Sequence, residues 1–211
     1  MSKIQEIAIA VENGKVKIIE ELIQEALEAK EDPNVILEEG MIAAMSIVGA
    51  KFQANEIFVP EMLIAAKTMK KGVEVLRPHL ASGAVGKKGK YIIGTVAGDL
   101  HDIGKNLVAL MIESAGFEII DLGVDVPAEK FVEAIKENPD CKIVGASALL
   151  TTTMDALENT VKAIIDAGCK DQVKIMVGGA PITQEFADKI GADAYSSDAG
   201  AAAVKSLELV S

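Results

Sequence analysis

The chain has 211 residues, half of them hydrophobic, with a formal net charge of −11 and an isoelectric point near 4.7. Such acidity argues against a nucleic-acid partner, because binding to a phosphate backbone runs on clustered Lys and Arg. Aromatic residues make up 3% and Trp is absent, so the core must be built from Ala, Val, Ile and Leu. The N-terminus lacks the basic region and apolar run of a signal peptide. The longest apolar stretch, Met41 to Ala50, falls short of the roughly 20 residues a bilayer needs, so no membrane and a cytoplasmic location are expected. Cys141 and Cys169 form neither a disulfide framework nor a metal-ligand spacing, and are expected as reduced thiols.

In chain order, a short helix is expected before Asn13-Gly14. Ile18, Ile19, Leu22, Ile23, Ala26 and Leu27 then form one apolar stripe at three- and four-residue spacing, so a second helix follows. Asp32-Pro33 is expected to break it. A further helix runs from about Val35 to Phe52. Pro60 suits a first helical turn, because its missing N–H needs no partner there; a long helix follows through Met62, Leu63, Ala66, Met69, Val73 and Leu76, stopping near Pro78. The pattern predicts an all-α four-helix bundle over residues 1–82. Residues 83–90, rich in Gly and Lys, read as a linker and lack the spacing of a P-loop.

From residue 91 to 211 the rhythm changes. Short apolar runs (YIIGTVAG, EIIDLGV, KIVGASAL, VKIMVGG and a weaker ADAYSS) alternate with amphipathic segments. Runs of this kind suit parallel strands buried on both faces, and five strand–helix units predict a doubly wound α/β sheet.

The turn after the first strand, expected to end near Ala97, reads GDLHDIGKN. His101 is one of only two histidines and lies at the carboxyl edge of the sheet, where open α/β sheets bind ligands. Asp99, two residues away, can reach an imidazole nitrogen, fix the tautomer and leave the other nitrogen free. Three readings follow: a capping or surface histidine, an acid–base catalyst oriented by Asp99, or a single protein ligand to a metal that arrives with its other ligands attached.

Asp99-x-His101-x-x-Gly104 resembles the signature of the cobalamin-binding family. Ser147-Ala148-Leu149, followed by Thr151 and Thr153, resembles its Ser-x-Leu after the third strand, and Gly178-Gly179-Ala180 its Gly-Gly after the fourth. The helical half resembles the cap module of methionine synthase and of the corrinoid proteins of methylotrophic methanogens and acetogens. The resemblance spans nearly the whole chain and implies a helical cap followed by a flavodoxin-like sheet.

It further implies a cofactor, cobalamin (as methylcobalamin or cob(I)alamin) or a related corrinoid, bound with its own benzimidazole base off the cobalt. His101 would be the axial ligand, and Asp99 and Thr153 (often Ser in the family) a relay behind it. Asp102, Ile103, Gly104, Ser147, Leu149, Thr151, Gly178, Gly179 and Ala180 would line the cofactor site, with Ser147 holding the displaced base. Phe52 and Val59, the latter a Leu in the family, would cover the other face of the corrin, and the linker would be the hinge by which the cap moves. The implied function is a methyl shuttle, non-catalytic alone, serving a donor-specific methyltransferase (methyl ether, as in an O-demethylase, methylamine or methanol). A second methyltransferase would act on tetrahydrofolate or a thiol, and a reductive activating protein completes the partners. The alternative is a cobalamin-dependent sensor, which would usually add a DNA-binding segment that 211 residues are not expected to hold. A mutase subunit would not need the helical half.

Overall fold

The structure is a computed structural model that describes residues 2–80 and 88–210. The chain divides into a helical unit, residues 1–87 grouped with 114–116, and an α/β unit, residues 88–113 and 117–211. Most of the expected linker, residues 83–87, lies outside the described residues; Lys88 and Gly89 form the turn that leads into the first strand.

In the helical unit, α1 (Lys3–Glu12) opens on a reciprocal cap between Ser2 and Gln5. The turn after it needs Gly14, whose φ is +64° and whose added Cβ would lie 2.4 Å from the Ile64 side chain. Helix α2 (Ile19–Glu28) ends at Ala29, with Lys30 left-handed at φ 64°. Asp32-Pro33 therefore does not break α2. Asp32 instead caps the next helix, its side chain accepting from Asn34 N–H, with Pro33 in the first turn.

That next helix is continuous but not uniform. It starts as α3 (Pro33–Val35), widens to a π-helix over Ile36–Ile42 and continues as α4 (Ala43–Gln53). Helix α5 (Val59–Leu76) starts with Pro60 in its first turn and Glu61 accepting from Phe58 N–H at 3.1 Å, and a 3-10 turn, Arg77–His79, follows. The core joins Ile7, Val11, Ile19, Ile23, Ile36 and Leu76 with Met41, Met45, Met62 and Met69. Flexible thioethers fill the space that aromatic rings would otherwise occupy. A Cβ at Gly72 would come within 2.7 Å of Met41 Cε, which shows how closely α5 packs.

The α/β unit has five strands, β1 (Lys90–Thr95), β2 (Glu118–Asp121), β3 (Cys141–Ser147), β4 (Lys174–Gly178) and β5 (Ala194–Ser196). All neighbours are parallel, in the order β2-β1-β3-β4-β5. Helices α6 (Ile103–Ser114), α7 (Ala128–Glu137), α8 (Met154–Asp166), α9 (Gln184–Ile190) and α10 (Ala199–Leu209) alternate with them. The strand order reverses between β1 and β3, which pair centrally with Thr95 opposite Ser147. That reversal opens a crevice at the carboxyl edge. Strand β1 ends two residues before the expected Ala97; Val96 makes only an isolated bridge to Val126.

Candidate functional site

Gly98, with φ +79°, turns the chain out of β1. The Asp99 side chain then folds back under the turn and is fully buried. Its Oδ1 accepts from His101 N–H at 3.1 Å and lies 2.7 Å from His101 Nδ1. Its Oδ2 accepts from Leu149 N–H at 2.7 Å and from the Thr153 hydroxyl at 2.8 Å. Burial alone would push this carboxyl up. The bonds from Leu149 N–H, the His101 ring, the Thr153 hydroxyl and His101 N–H outweigh it and hold Asp99 well below the usual carboxylate range. A charged Asp99 keeps the hydrogen on Nδ1 and leaves Nε2 as a lone-pair nitrogen. The His101 side chain is 50% exposed, and Nε2 has no partner among the described residues.

Two central strand ends meet beneath this turn. Thr95, the last residue of β1, is buried; its hydroxyl donates to the His101 carbonyl at 2.9 Å and lies 3.0 Å from Ser147 Oγ. Beyond Ser147, Ala148 N–H donates to Gly178 O. Leu149 and Leu150 are partly exposed, and a 3-10 turn, Thr151–Thr153, directs Thr153 inward while Thr151 stays exposed. Gly179 has φ +127°, and a Cβ there would lie 1.9 Å from Ala148 O; one at Gly178 would lie 3.0 Å from Ser196 O. Gly179 is thus required by the chain's own backbone, and Gly178 sits in tight quarters beside Ser196 O. Ala180 is exposed beside them.

Gly104 is different. A Cβ there would meet nothing within 4 Å, so no neighbour in this chain requires a glycine. On the same turn Leu100 is 72% and Ile103 79% exposed. Exposed Asp102 accepts from the Asn106 side chain at 3.2 Å. Phe52 and Val59 belong to the helical unit, in the last turn of α4 and at the first residue of α5; both are half-buried, while neighbouring Phe58 is 65% exposed.

Sequence reasoning missed four polar residues that frame the turn. Thr95 is one. Asp125, left-handed at φ 52°, accepts from Gly98 N–H at 2.7 Å through Oδ1 and donates its own N–H to Asp99 O. Lys105, buried at the start of α6, reaches Asp121 Oδ2 at 2.6 Å, and Asp121 Oδ1 accepts from Gly123 N–H. The signal for Lys105 lay in GDLHDIGKN itself; a lysine amid the apolar face of a helix start needs a buried partner.

Among the described residues, no three His, Cys, Asp or Glu side chains are grouped to hold a bare metal ion. The arrangement offers instead one neutral nitrogen donor on a rigid turn, flanked by exposed apolar side chains and an unobstructed Gly104. That donor set suits a large, largely apolar group whose metal carries its other ligands with it.

The comparisons with known proteins agree. The family described as B12 binding domain matches residues 89–207, and a second family of the same description matches residues 3–77. The chain is 42% identical to dimethylamine corrinoid protein 3 of Methanosarcina acetivorans over 98% of its own length and 96% of that protein's. It is 46% identical to the trimethylamine corrinoid protein of Methanosarcina barkeri, over 90% and 88% of the two chains. It superposes with a TM-score of 0.84 on a chain of the methanol:cobalamin methyltransferase complex MtaBC of Methanosarcina barkeri. That match has 29% identity and covers 99% of this chain and 79% of the other. The chain belongs to the B12-binding family and, within it, to the corrinoid proteins of methyltransferase systems, with cobalamin or a related corrinoid as its cofactor.

Proposed function

We propose that this chain is a methyl carrier that binds its corrinoid with the lower base displaced and His101 Nε2 in the vacated axial position. It takes the methyl group from a methylamine-specific methyltransferase and delivers it to a second methyltransferase that acts on a thiol or a folate. The observation that carries the reading is the buried Asp99 carboxylate. It locks Nδ1–H of His101 on one side and ties to Thr153 and Leu149 on the other, so Nε2 is presented outward as a donor.

When bound, the corrinoid supplies cobalt that accepts and donates a methyl group, and the protein holds and tunes it. Asp99 fixes the tautomer and orientation of His101 by holding the Nδ1 hydrogen, and Thr153 steadies the carboxylate from behind. When His101 disengages, the Asp99–Thr153 pair is placed to keep the imidazole oriented for its return. Ser147, Leu149 and Thr151 would line the slot for the displaced base, and Gly104, Gly178 and Gly179 would admit the tail. Asp102, Ile103 and Ala180 would border the same edge. In the helical unit, Phe52 and Val59 are the residues the reading assigns to the corrin. The methylamine donor is supported by the names of the two relatives; a methyltransferase as partner is supported by the methanol:cobalamin complex. A reductive activating protein completes the set. Among the described residues no helix is long and apolar enough to cross a membrane.

The test is reconstitution with hydroxocobalamin and comparison of visible spectra for the wild type and His101→Ala. A spectrum that changes on loss of His101 supports axial ligation. Identical spectra would refute it and return His101 to a capping or acid–base role.

A further inference from the structure

Thr95 does more than end a strand. It is buried at the last position of β1, opposite Ser147 in the register of the two central strands. Its hydroxyl lies 2.9 Å from the His101 carbonyl and 3.0 Å from Ser147 Oγ. A hydroxyl carries one hydrogen and two lone pairs, and a carbonyl can only accept. The Thr95 hydrogen is therefore committed to His101, so the bond between the two hydroxyls takes its hydrogen from Ser147. At rest Ser147 is turned inward, and only its lone pairs face the site.

A ligand group that presents an acceptor, such as the unsubstituted ring nitrogen of a displaced benzimidazole, must draw the Ser147 hydrogen away from Thr95. Thr95 then either turns its hydrogen to Ser147 and releases the His101 carbonyl, or keeps that carbonyl and leaves two oxygens 3.0 Å apart with no hydrogen between them. Two hydrogens cannot serve three bonds. We propose that Thr95 is a positioning residue that couples the two ends of the site: occupation of Ser147 by the base loosens the hold on the His101 turn. This rests on the reading above in which Ser147 holds the base. Neither the family match nor the relatives' names assign any role to Thr95.

The experiment is a double-mutant cycle on the full chain, read as dissociation constants for cobalamin and for cobinamide, which keeps the corrin ring but lacks the nucleotide base. Thr95→Val preserves shape and removes the hydroxyl, so Ser147 no longer gives up an inner bond to hold the ligand. The loss of cobalamin affinity caused by Ser147→Ala should then grow by at least about threefold in the Thr95→Val background. Thr95→Ser, which restores the hydroxyl, should return it to the wild-type value. With cobinamide, Ser147→Ala should have little effect in either background.

If Ser147→Ala selectively weakens cobalamin but by the same factor in both backgrounds, the coupling falls and the base assignment stands. If it weakens both corrinoids equally, the base assignment falls and takes the coupling with it. A second readout needs no variant. The chain has two histidines, so carbonyl-13C histidine labelling gives two signals. The His101 carbonyl should shift differently with cobalamin than with cobinamide; the same shift with both would overturn the proposal.

Discussion

Replacing Asp99 by Asn keeps the shape of the buried side chain and removes only its charge and one acceptor. Four short bonds reach the carboxylate, from His101 Nδ1 and N–H to Oδ1 and from Leu149 N–H and the Thr153 hydroxyl to Oδ2, and Leu150 N–H adds a longer one to Oδ2 at 3.4 Å. An amide has one oxygen, so whichever way it is turned its NH2 faces at least two donors. With the NH2 toward His101, the ring must offer a bare Nδ1. Its hydrogen then moves to Nε2, and the outward nitrogen loses the lone pair a metal needs. With the NH2 toward Leu149, Thr153 can redirect to the Leu150 carbonyl 2.9 Å away, but Leu149 N–H is left without its short bond. Either orientation leaves one backbone N–H poorly paired, worth about 1–3 kcal/mol, and turns charge-assisted bonds into neutral ones, each weaker by roughly 1 kcal/mol. Allowing that a neutral amide is easier to bury, the net cost is about 3 kcal/mol.

Urea unfolding of the cofactor-free protein measures this directly. Both tyrosines, Tyr91 and Tyr195, belong to the α/β unit, so their fluorescence reports that unit alone. The pH dependence supplies the sign. Asp99 is lowered in the folded protein, so its contribution is complete above the unfolded carboxyl range near ~3.9 and is lost as pH falls through the folded value. The gap between wild type and Asp99→Asn should narrow below about pH 4. A gap under about 1 kcal/mol, or one unchanged in acid, would refute the assignment of these converging donors to one charged carboxylate.

Gly104→Ala should leave stability unchanged or raise it by up to ~0.5–1 kcal/mol, because the site is open and Ala favours a helix. Its cobalamin affinity should nevertheless fall, which titration of the absorbance spectrum would detect. Gly179→Ala should do the reverse of a silent change: positive φ and a clash with Ala148 O each cost roughly 1–3 kcal/mol, giving a large loss of stability by thermal melting even without cofactor. The Lys105–Asp121 pair should be asymmetric. Lys105→Met leaves a carboxylate that reaches solvent and should cost about 1–2 kcal/mol, whereas Asp121→Ala leaves a buried ammonium with only its 2.7 Å bond to Asn106 Oδ1 and should cost more, about 3 kcal/mol, both read by urea midpoint.

Periodicity exposed the four-helix count and the five strands, because burying a stripe or a face imposes a pattern visible over ten residues, although edge strand β2 has no fully buried residue. It did not expose the π-helical stretch at Ile36–Ile42, where the apolar spacing still fits an ordinary helix, nor the left-handed stop at Lys30, where no glycine marks the end. At the site, the Asp99–His101 contact was legible because a carboxylate two residues before a histidine on a turn can reach its ring nitrogen. Thr95 and Asp125 were not. A threonine at a strand end satisfies β propensity, and Asp125 acts on Gly98, 27 residues earlier in the chain. Long-range hydrogen bonds leave no local pattern. The roles of Gly178 and Gly179 also shifted in meaning: their bare backbones answer first to Ser196 O and Ala148 O.

The pairing of Thr95 with Ser147 also sets where this molecule can tolerate change. The histidine turn and the serine turn hang from adjacent pegs, held one strand spacing apart, about 4.8 Å. Everything the chain does between them, α6, β2, α7 and their connections, is a detour that returns to the neighbouring peg. A detour can lengthen at its outer corners, such as the Asn138–Asp140 bend before β3, without altering the gauge of the site. One residue inserted inside β1 or β3 would instead rotate the following side chains to the opposite face of the sheet and dismantle the site at a stroke. Divergence should therefore accumulate in the far corners of the crossovers, while these two short strands remain fixed in length.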